Sequence, residues 1–392
     1  MGTHPRRPRW LERAFSGTVY RSFWLDDPSS PPPRQRLSGE VSCDLAIVGA
    51  GFTGLWAALL AKEADDSLDV VVLEQASVAS AASGRNGGFC DASLTHGVAN
   101  GLARFPDEME LLESLGLENL CRIAESVKER GIDCDFELNG TIDVAVRPWQ
   151  VDELAEHAEA ARRLGHDVEL LGEDEVRGEI CSPTYLAGIR SRGRTAMVNP
   201  ARLAWGLAQA CENLGVRIHE ETEVSSVARD GAGLRLGCEH GTLRAGRAVL
   251  ATNAHRSLLR RVRPYVLPVY DYVLVTEPLS SLQRAEIGWT GRQGIGDAGN
   301  QFHYYRLTAD DRVLFGGYDA VYHFANRLED ALDRRPATFD MLAEHLLATF
   351  PQLEGISFSH AWGGAIDTCS RFCAFYGTAY GGRAAYAAGF TG

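Results

Sequence analysis

Short apolar runs punctuated by glycine turns dominate the first part of the chain. Cys43-Asp44-Leu45-Ala46-Ile47-Val48 has the character of a strand, Gly49 to Gly54 of a turn, Leu55 to Ala64 of a helix, and Val70-Val71-Val72-Leu73 of a second strand that ends on Glu74. Further on, Asn199 suits an N-cap and Pro200 a first helical position. Leu203, Leu207, Ala210 and Leu214 then share one helical face, and Gly215 stops it. Val216 to His219 and Arg247 to Leu250 are again apolar strands, the latter running into the small-residue turn Ala251-Thr252-Asn253-Ala254. Two stretches differ in kind: from Ile132 to Val146 and from Val266 to Tyr322, β-type runs such as Tyr270 to Val275 alternate with turns, and helices are expected near 151–164 and 337–349. The sum is an α/β chain with two folding units.

Composition narrows what such a chain does. A formal charge of −13 without a basic stripe argues against a nucleic-acid partner. Lys62 and Lys128 are the only lysines, so chemistry that needs a lysine beyond residue 128 is excluded. Nine cysteines, an odd number, do not read as a disulfide framework, and the C-x3-C pair Cys369 and Cys373 lacks the companions of a metal site. The basic start MGTHPRRPRW precedes no apolar segment, and no run approaches the roughly 20 residues of a membrane span. A cytoplasmic protein without membrane or metal is the expectation, with residues 25–40 as an extended arm.

The first glycine turn carries the clearest chemistry. Gly49 permits the tight turn, Gly51 lets a pyrophosphate approach the backbone, and Gly54 lets helix and strand pack closely, with Ala50, Phe52 and Thr53 between them. A helix N-terminus there offers N–H groups and partial positive charge. Glu74, 20 residues after Gly54, stands where an acid accepts hydrogen bonds from an adenosine ribose and disfavours a 2′-phosphate. The motif alone leaves FAD and NAD both open.

The loop that follows, Ser83-Gly84-Arg85-Asn86-Gly87-Gly88, resembles that of the FAD-dependent oxidoreductases of the D-amino-acid oxidase and glycine/sarcosine oxidase superfamily, and most the gamma-glutamylputrescine oxidase branch. The resemblance extends from about residue 20 to the end through Asn199-Pro200-Ala201-Arg202-Leu203 and Trp362-Gly363-Gly364-Ala365-Ile366-Asp367. It implies a Rossmann-like FAD-binding domain at 41–118, 196–262 and 357–392, a discontinuous antiparallel-β substrate domain at 119–195 and 263–356, and an N-terminal arm at 1–40. Beyond the glycine turn, Glu74 and the Ser83–Gly88 loop, it assigns to non-covalent FAD the positions Val224, Ala251, Thr252, Gly363, Gly389, Phe390, Thr391 and Gly392. It implies oxidation of a small-molecule amine or amino acid, with hydride transfer to flavin N5. The imine hydrolyses, and oxygen or an electron carrier takes the electrons, oxygen yielding peroxide. A gamma-glutamylputrescine-like substrate is favoured over an amino acid. A dehydrogenase, an inactive FAD-binding protein and an NAD module are the alternatives.

Arg85 and Asn86 are expected beside the flavin ring, with Arg85 favouring its anionic reduced form. In the run Phe302-His303-Tyr304-Tyr305-Arg306, alternation puts Tyr304 and Arg306 on one face and His303 and Tyr305 on the other. Tyr304 and Arg306 are taken as pocket residues, Arg306 to hold a carboxylate, and Asp367 either to pair with a substrate amine or to cap a turn. The final Ala388-Gly389-Phe390-Thr391-Gly392 repeats the letters of Ala50-Gly51-Phe52-Thr53-Gly54. Both copies are expected to turn sharply and aim N–H groups at FAD. The second has no helix behind it, so weakened FAD retention is expected of a shortened family member.

Overall fold

The computed structural model describes residues 7–391. Its first sheet has parallel strands in the order Ala384–Ala388, Gly241–Leu250, Gly39–Val48, Val70–Leu73 and Arg217–His219. Phe375–Ala379 closes one edge antiparallel, and the hairpin of Val224–Asp230 and Gly233–Cys238 lies along Gly241–Leu250. Val70–Leu73 is buried throughout, and Gly39–Val48 and Gly241–Leu250 become apolar at their carboxyl ends, where both faces are covered. Ile47, Val70 and Val72 pack with the helices Phe52–Ala64 and Pro200–Asn213, while Ala46, Val48, Val71 and Leu73 pack with Leu259 and Val262. The second helix begins as its letters imply, with the Asn199 side chain accepting the Arg202 N–H at 3.1 Å.

The second sheet has nine strands. Val321–Tyr322, Leu267–Thr276, Val313–Gly317, His303–Leu307 and Gly294–Asp297 follow one another antiparallel. Gly294–Asp297 then pairs parallel with Thr141–Ala145, a departure from the antiparallel expectation. That junction joins segments far apart in sequence, so no hairpin dictates its direction. The outer face packs Ile142, Ile295, Tyr305 and Phe315 against Val176, Ile287, Phe339 and Leu346 of three covering helices. Among the described residues no helix is long and apolar enough to cross a membrane.

Two stretches depart from the expected boundaries. Phe358–Thr368, expected with the nucleotide-binding segments, pairs along its length with Leu267–Thr276 in the second sheet, and only afterwards does the chain return to the first. The described part of the N-terminal arm is also built into the body. Arg9–Ala14 is a helix that buries Leu11 and Ala14 in the second core, and Trp24 is buried in the first. The 21-residue helix Met109–Glu129 has no counterpart in the sequence pattern, because Leu111, Leu115 and Leu117 are exposed on it and blur the period.

Candidate active site

The glycine turn leaves the carboxyl end of Gly39–Val48, between Gly241–Leu250 on one side and Val70–Leu73 on the other. In such sheets the crevice outside the strand ends, where the strand order reverses, receives the ligand. Gly49 has φ +106°, and a Cβ there would come within 2.4 Å of the Ala251 carbonyl oxygen. A Cβ at Gly54 would stand 1.9 Å from the Gly49 oxygen, so helix and strand are as close as glycine alone permits. The helix starts with no side-chain cap at Gly51. Its Phe52 N–H is donated to Ser83 Oγ at 3.0 Å.

Glu74 binds the turn itself. Its carboxylate accepts the Ala50 N–H at 2.8 Å and the Ala76 N–H at 3.1 Å, and burial raises its pKa. The Thr222 N–H reaches the Glu74 carbonyl at 2.7 Å, bringing the segment that ends at buried Val224 to the same corner. Ala251 donates its N–H to the Val48 carbonyl at 2.9 Å, and Thr252 lines a cavity of about 330 Å³ with Asn253, His255, Pro268 and Tyr386. A larger cavity of about 540 Å³, between Glu129–Asp133 and the helix Pro200–Asn213, touches none of the glycine-turn residues.

The Ser83–Gly88 loop is held from several sides. Asn86 ties it internally, donating to the Ala82 and Ser83 carbonyls at 3.1 and 3.0 Å and accepting the Gly88 N–H at 2.9 Å. From the N-terminal segment, Ser22 Oγ donates to the Gly84 carbonyl at 2.7 Å and Trp24 Nε1 to the Asn86 carbonyl at 2.9 Å. Trp362 Nε1 donates to the Arg85 carbonyl at 2.8 Å. The Arg85 guanidinium is engaged by Asp333 and by the Ser80 carbonyl at 2.7 Å. Asp333 and the Trp24 contact had no signal in the local sequence, since both partners lie far away along the chain.

The second sheet presents one face to this loop. Tyr304 and Arg306 share it, as alternation predicts. A Cβ at Gly87 would be 2.6 Å from the Tyr304 ring, and one at Gly88 would be 2.6 Å from Arg306. Arg306, however, is 2% exposed and donates to the Gly88 and Val198 carbonyls at 2.9 and 2.8 Å. Its role as a carboxylate anchor is therefore corrected: the guanidinium already ties two backbone segments together, and burial lowers its pKa to about 10. The Tyr304 hydroxyl donates to Asp271 Oδ2 at 2.5 Å. Asp271 is the residue that sequence reasoning missed, although an acid within the otherwise uncharged run Tyr270 to Val275 was a visible signal. On the opposite face, His303 Nδ1 lies 2.6 Å from Asp297 and the Tyr305 hydroxyl 2.8 Å from that of Tyr185.

The late segments also differ from expectation. Gly363 turns toward Tyr272, where a Cβ would approach to 2.7 Å, while Gly364 is the glycine that faces Arg85. Asp367 is 1% exposed and accepts the Gly389 N–H at 2.7 Å and the Phe390 N–H at 3.2 Å. It caps the second AGFTG turn, so those N–H groups point at a carboxylate of the chain. The two copies differ in backbone. Gly51 has φ −86° and leads into a helix, whereas Gly389 and Thr391 have φ +74° and +63°. Gly392 lies outside the described residues.

Three regions thus converge: the glycine turn with Glu74, the Ser83–Gly88 loop, and the sheet face bearing Tyr304 and Asp271. The crevice fits a dinucleotide, since a Cβ at Gly51 would come 2.8 Å from Ser83 Oγ and fill the approach. A family model described as FAD dependent oxidoreductase (DAO) matches residues 44–392. The gamma-glutamylputrescine oxidoreductase of Escherichia coli is 31% identical over 90% of this chain and 81% of its own. A probable oxidoreductase OrdL of Haemophilus influenzae is 28% identical over 88% and 78%. In fold the chain is similar to a glycine oxidase of Geobacillus kaustophilus, with TM-score 0.73, 22% identity and 89% of each chain covered.

Proposed function

This chain belongs to the DAO family of FAD dependent oxidoreductases, and on that premise we propose that it oxidises a small-molecule amine at the carbon bonded to nitrogen, with a gamma-glutamylputrescine-like substrate. The kinship to the E. coli relative supports the substrate. The observation that carries the reaction class is Asp271, a half-buried carboxylate bonded to Tyr304 beside the Ser83–Gly88 loop.

The residues that would hold FAD are the turn Gly49–Gly54, Glu74 and Val224 at the adenosine end, Ala251 and Thr252 along the crevice, and Ser83–Gly88 with Gly364 toward the ring. Bound FAD supplies the two-electron acceptor that side chains lack. The chain's own work is to bind, orient and exclude water. Trp362, Phe89 and the Tyr304 ring form apolar walls; Phe89 and Tyr304 meet edge to face at 5.9 Å. Arg85, fixed by Asp333 and Ser80, stands at the ring end with its charge balanced by Asp333.

The electron acceptor is oxygen or a carrier. The test is the visible spectrum of purified protein with FAD, recorded as gamma-glutamylputrescine and other amines are added under nitrogen and then air. Bleaching by an amine is expected, and peroxide after aeration identifies an oxidase. A protein that takes up no FAD, or one whose flavin is reduced by dithionite but by no amine, overturns the proposal.

A further inference from the structure

A row of residues crosses the second sheet on the face turned to the loop. Asp143, Gly296, Tyr304 and Gly316 stand opposite one another on neighbouring strands, and Val273 and Trp362 continue the row. Their neighbours Ile142, Ile295, Tyr305 and Phe315 are buried in the outer core, which fixes the direction in which the row points. Asp271, two positions from Val273 on the same face, stands opposite Gly364. Its carboxylate accepts the Tyr304 hydroxyl at 2.5 Å and the Tyr272 N–H at 2.8 Å.

Beside Asp271 on the loop side stand Gly364 and the Tyr304 ring, with the Arg85 side chain next to Gly364. A Cβ at Gly364 would be 3.4 Å from Arg85 Cβ, and a Cβ at Gly316 would strike the Tyr304 ring at 2.7 Å. Among the described residues Asp271 has no ion-pair partner. The cations of this face are committed elsewhere: Arg85 to Asp333, and Arg306 to two backbone carbonyls. His303 belongs to the outer face, with Asp297 and His345. The remaining carboxylate of the row, Asp143, also lacks an ion pair among the described residues, and burial raises its pKa to about 7, so near neutral pH the negative charge of the face rests mainly on Asp271. A half-buried carboxylate without a cation is costly, and burial raises the Asp271 pKa to about 6.

We propose that Asp271, oriented by Tyr304, recognises the ammonium group of the substrate, and that this pair makes the enzyme select cationic aliphatic amines and reject substrates with a carboxylate on the reacting carbon. The proposal rests on the amine-oxidation reading and names what that site prefers. An α-carboxylate would meet Asp271 with no guanidinium free to receive it, whereas an ammonium group supplies the missing partner. Oxidation uses the neutral amine, so one N–H bond must break. Its electron pair stays on nitrogen and the proton passes to a carboxylate oxygen of Asp271. In a site closed to water this transfer replaces an ion pair by two neutral groups, which lowers the desolvation cost.

The test compares the FAD-loaded wild type with Asp271→Asn and Tyr304→Phe. The probes are two unreactive ligands of similar size, a tetraalkylammonium salt, whose quaternary nitrogen has no lone pair to support oxidation, and a branched aliphatic carboxylate. Binding is read from the shift of the flavin band and by competition against substrate. The wild type should bind the cation and discriminate against the anion. Asp271→Asn should weaken cation binding by about ten- to a hundredfold, with Tyr304→Phe falling between. The limb of the kcat/KM profile near pH 6 should be lost in Asp271→Asn, leaving only the rise through the ionisation of the free amine at higher pH, while flavin content stays unchanged. Retention of cation affinity within about twofold in Asp271→Asn, or preference of the wild type for the anion, overturns the proposal. If no amine reduces the wild-type flavin, the oxidation reading fails, and the cation titration still decides the role of Asp271. Should Asp271→Asn lose its flavin, the wild type alone decides: tighter binding of the cation supports the proposal, and tighter binding of the anion overturns it.

Discussion

At the scale of the residue, the glycines and the buried acids make the sharpest demands. Gly54 has no room for a side chain, with the Gly49 oxygen 1.9 Å from where a Cβ would stand. Gly54→Ala should cost about 1–3 kcal/mol in urea unfolding, and should weaken FAD binding measured by flavin fluorescence. Asp271 offers a test with a definite sign. Its pKa is raised from 3.8 to about 6, so its contribution to stability is fully present below about pH 4 and is lost as pH rises through about 6. Asn does not ionise. The FAD-free Asp271→Asn variant should therefore gain on the wild type by about 1–3 kcal/mol between pH 4 and pH 7.5 in denaturant titrations. A pH-independent difference would mean that the carboxyl is not buried as described. Gly49, Gly51 and Gly54 were legible from spacing, because their job is local. Arg306 was legible as a residue of the right face but not in its role, which depends on the Gly88 and Val198 carbonyls that only folding brings to it.

At the scale of the element, the loop Ser83–Gly88 is a short piece of chain fastened by partners from other elements. Ser22 and Trp24 hold it from the N-terminal segment, and Trp362 from the strand Phe358–Thr368. Trp24→Phe keeps most of the buried ring and removes the donor to the Asn86 carbonyl. It should lower stability by about 1 kcal/mol and speed FAD loss on gel filtration, with the substrate charge preference unchanged. Periodicity located Pro200–Asn213, which has one well-marked apolar face, and Pro336–Thr349, where buried Phe339, Leu342, Ala343 and Leu346 recur at helical spacing. It missed Met109–Glu129, and the family resemblance put Phe358–Thr368 with the other sheet. A strand's partner is set by register and long-range packing, which its own letters do not encode.

At the scale of the whole molecule, the two sheets are stitched together by strands that pass from one to the other. Phe358–Thr368 pairs in the second sheet and runs directly into the strands Phe375–Ala379 and Ala384–Ala388 of the first. The caps on Gly389 and Phe390 come from Asp367, at the end of the second-sheet strand. The halves should therefore unfold together, with tryptophan fluorescence and far-ultraviolet circular dichroism giving coincident transitions. FAD at a hundred times its Kd should move both by about 2.7 kcal/mol. Separate transitions, with FAD shifting only one, would show that the halves are independent.

The chain's letters alone determined the glycine turn and the acid after the second strand, and hence a dinucleotide site, because these depend on backbone permissiveness and on local spacing; FAD in preference to NAD came from the resemblance of the loop that follows to a known family. Tertiary structure decided the rest. It sent the identical pentapeptides at Ala50 and Ala388 into different backbones, because one precedes a helix and the other meets the buried carboxylate of Asp367. It also committed Arg85 and Arg306 to partners far away in sequence and left Asp271 without an ion-pair partner among the described residues. The charge preference of the site is thus a sum over neighbours, and neighbours are what folding supplies.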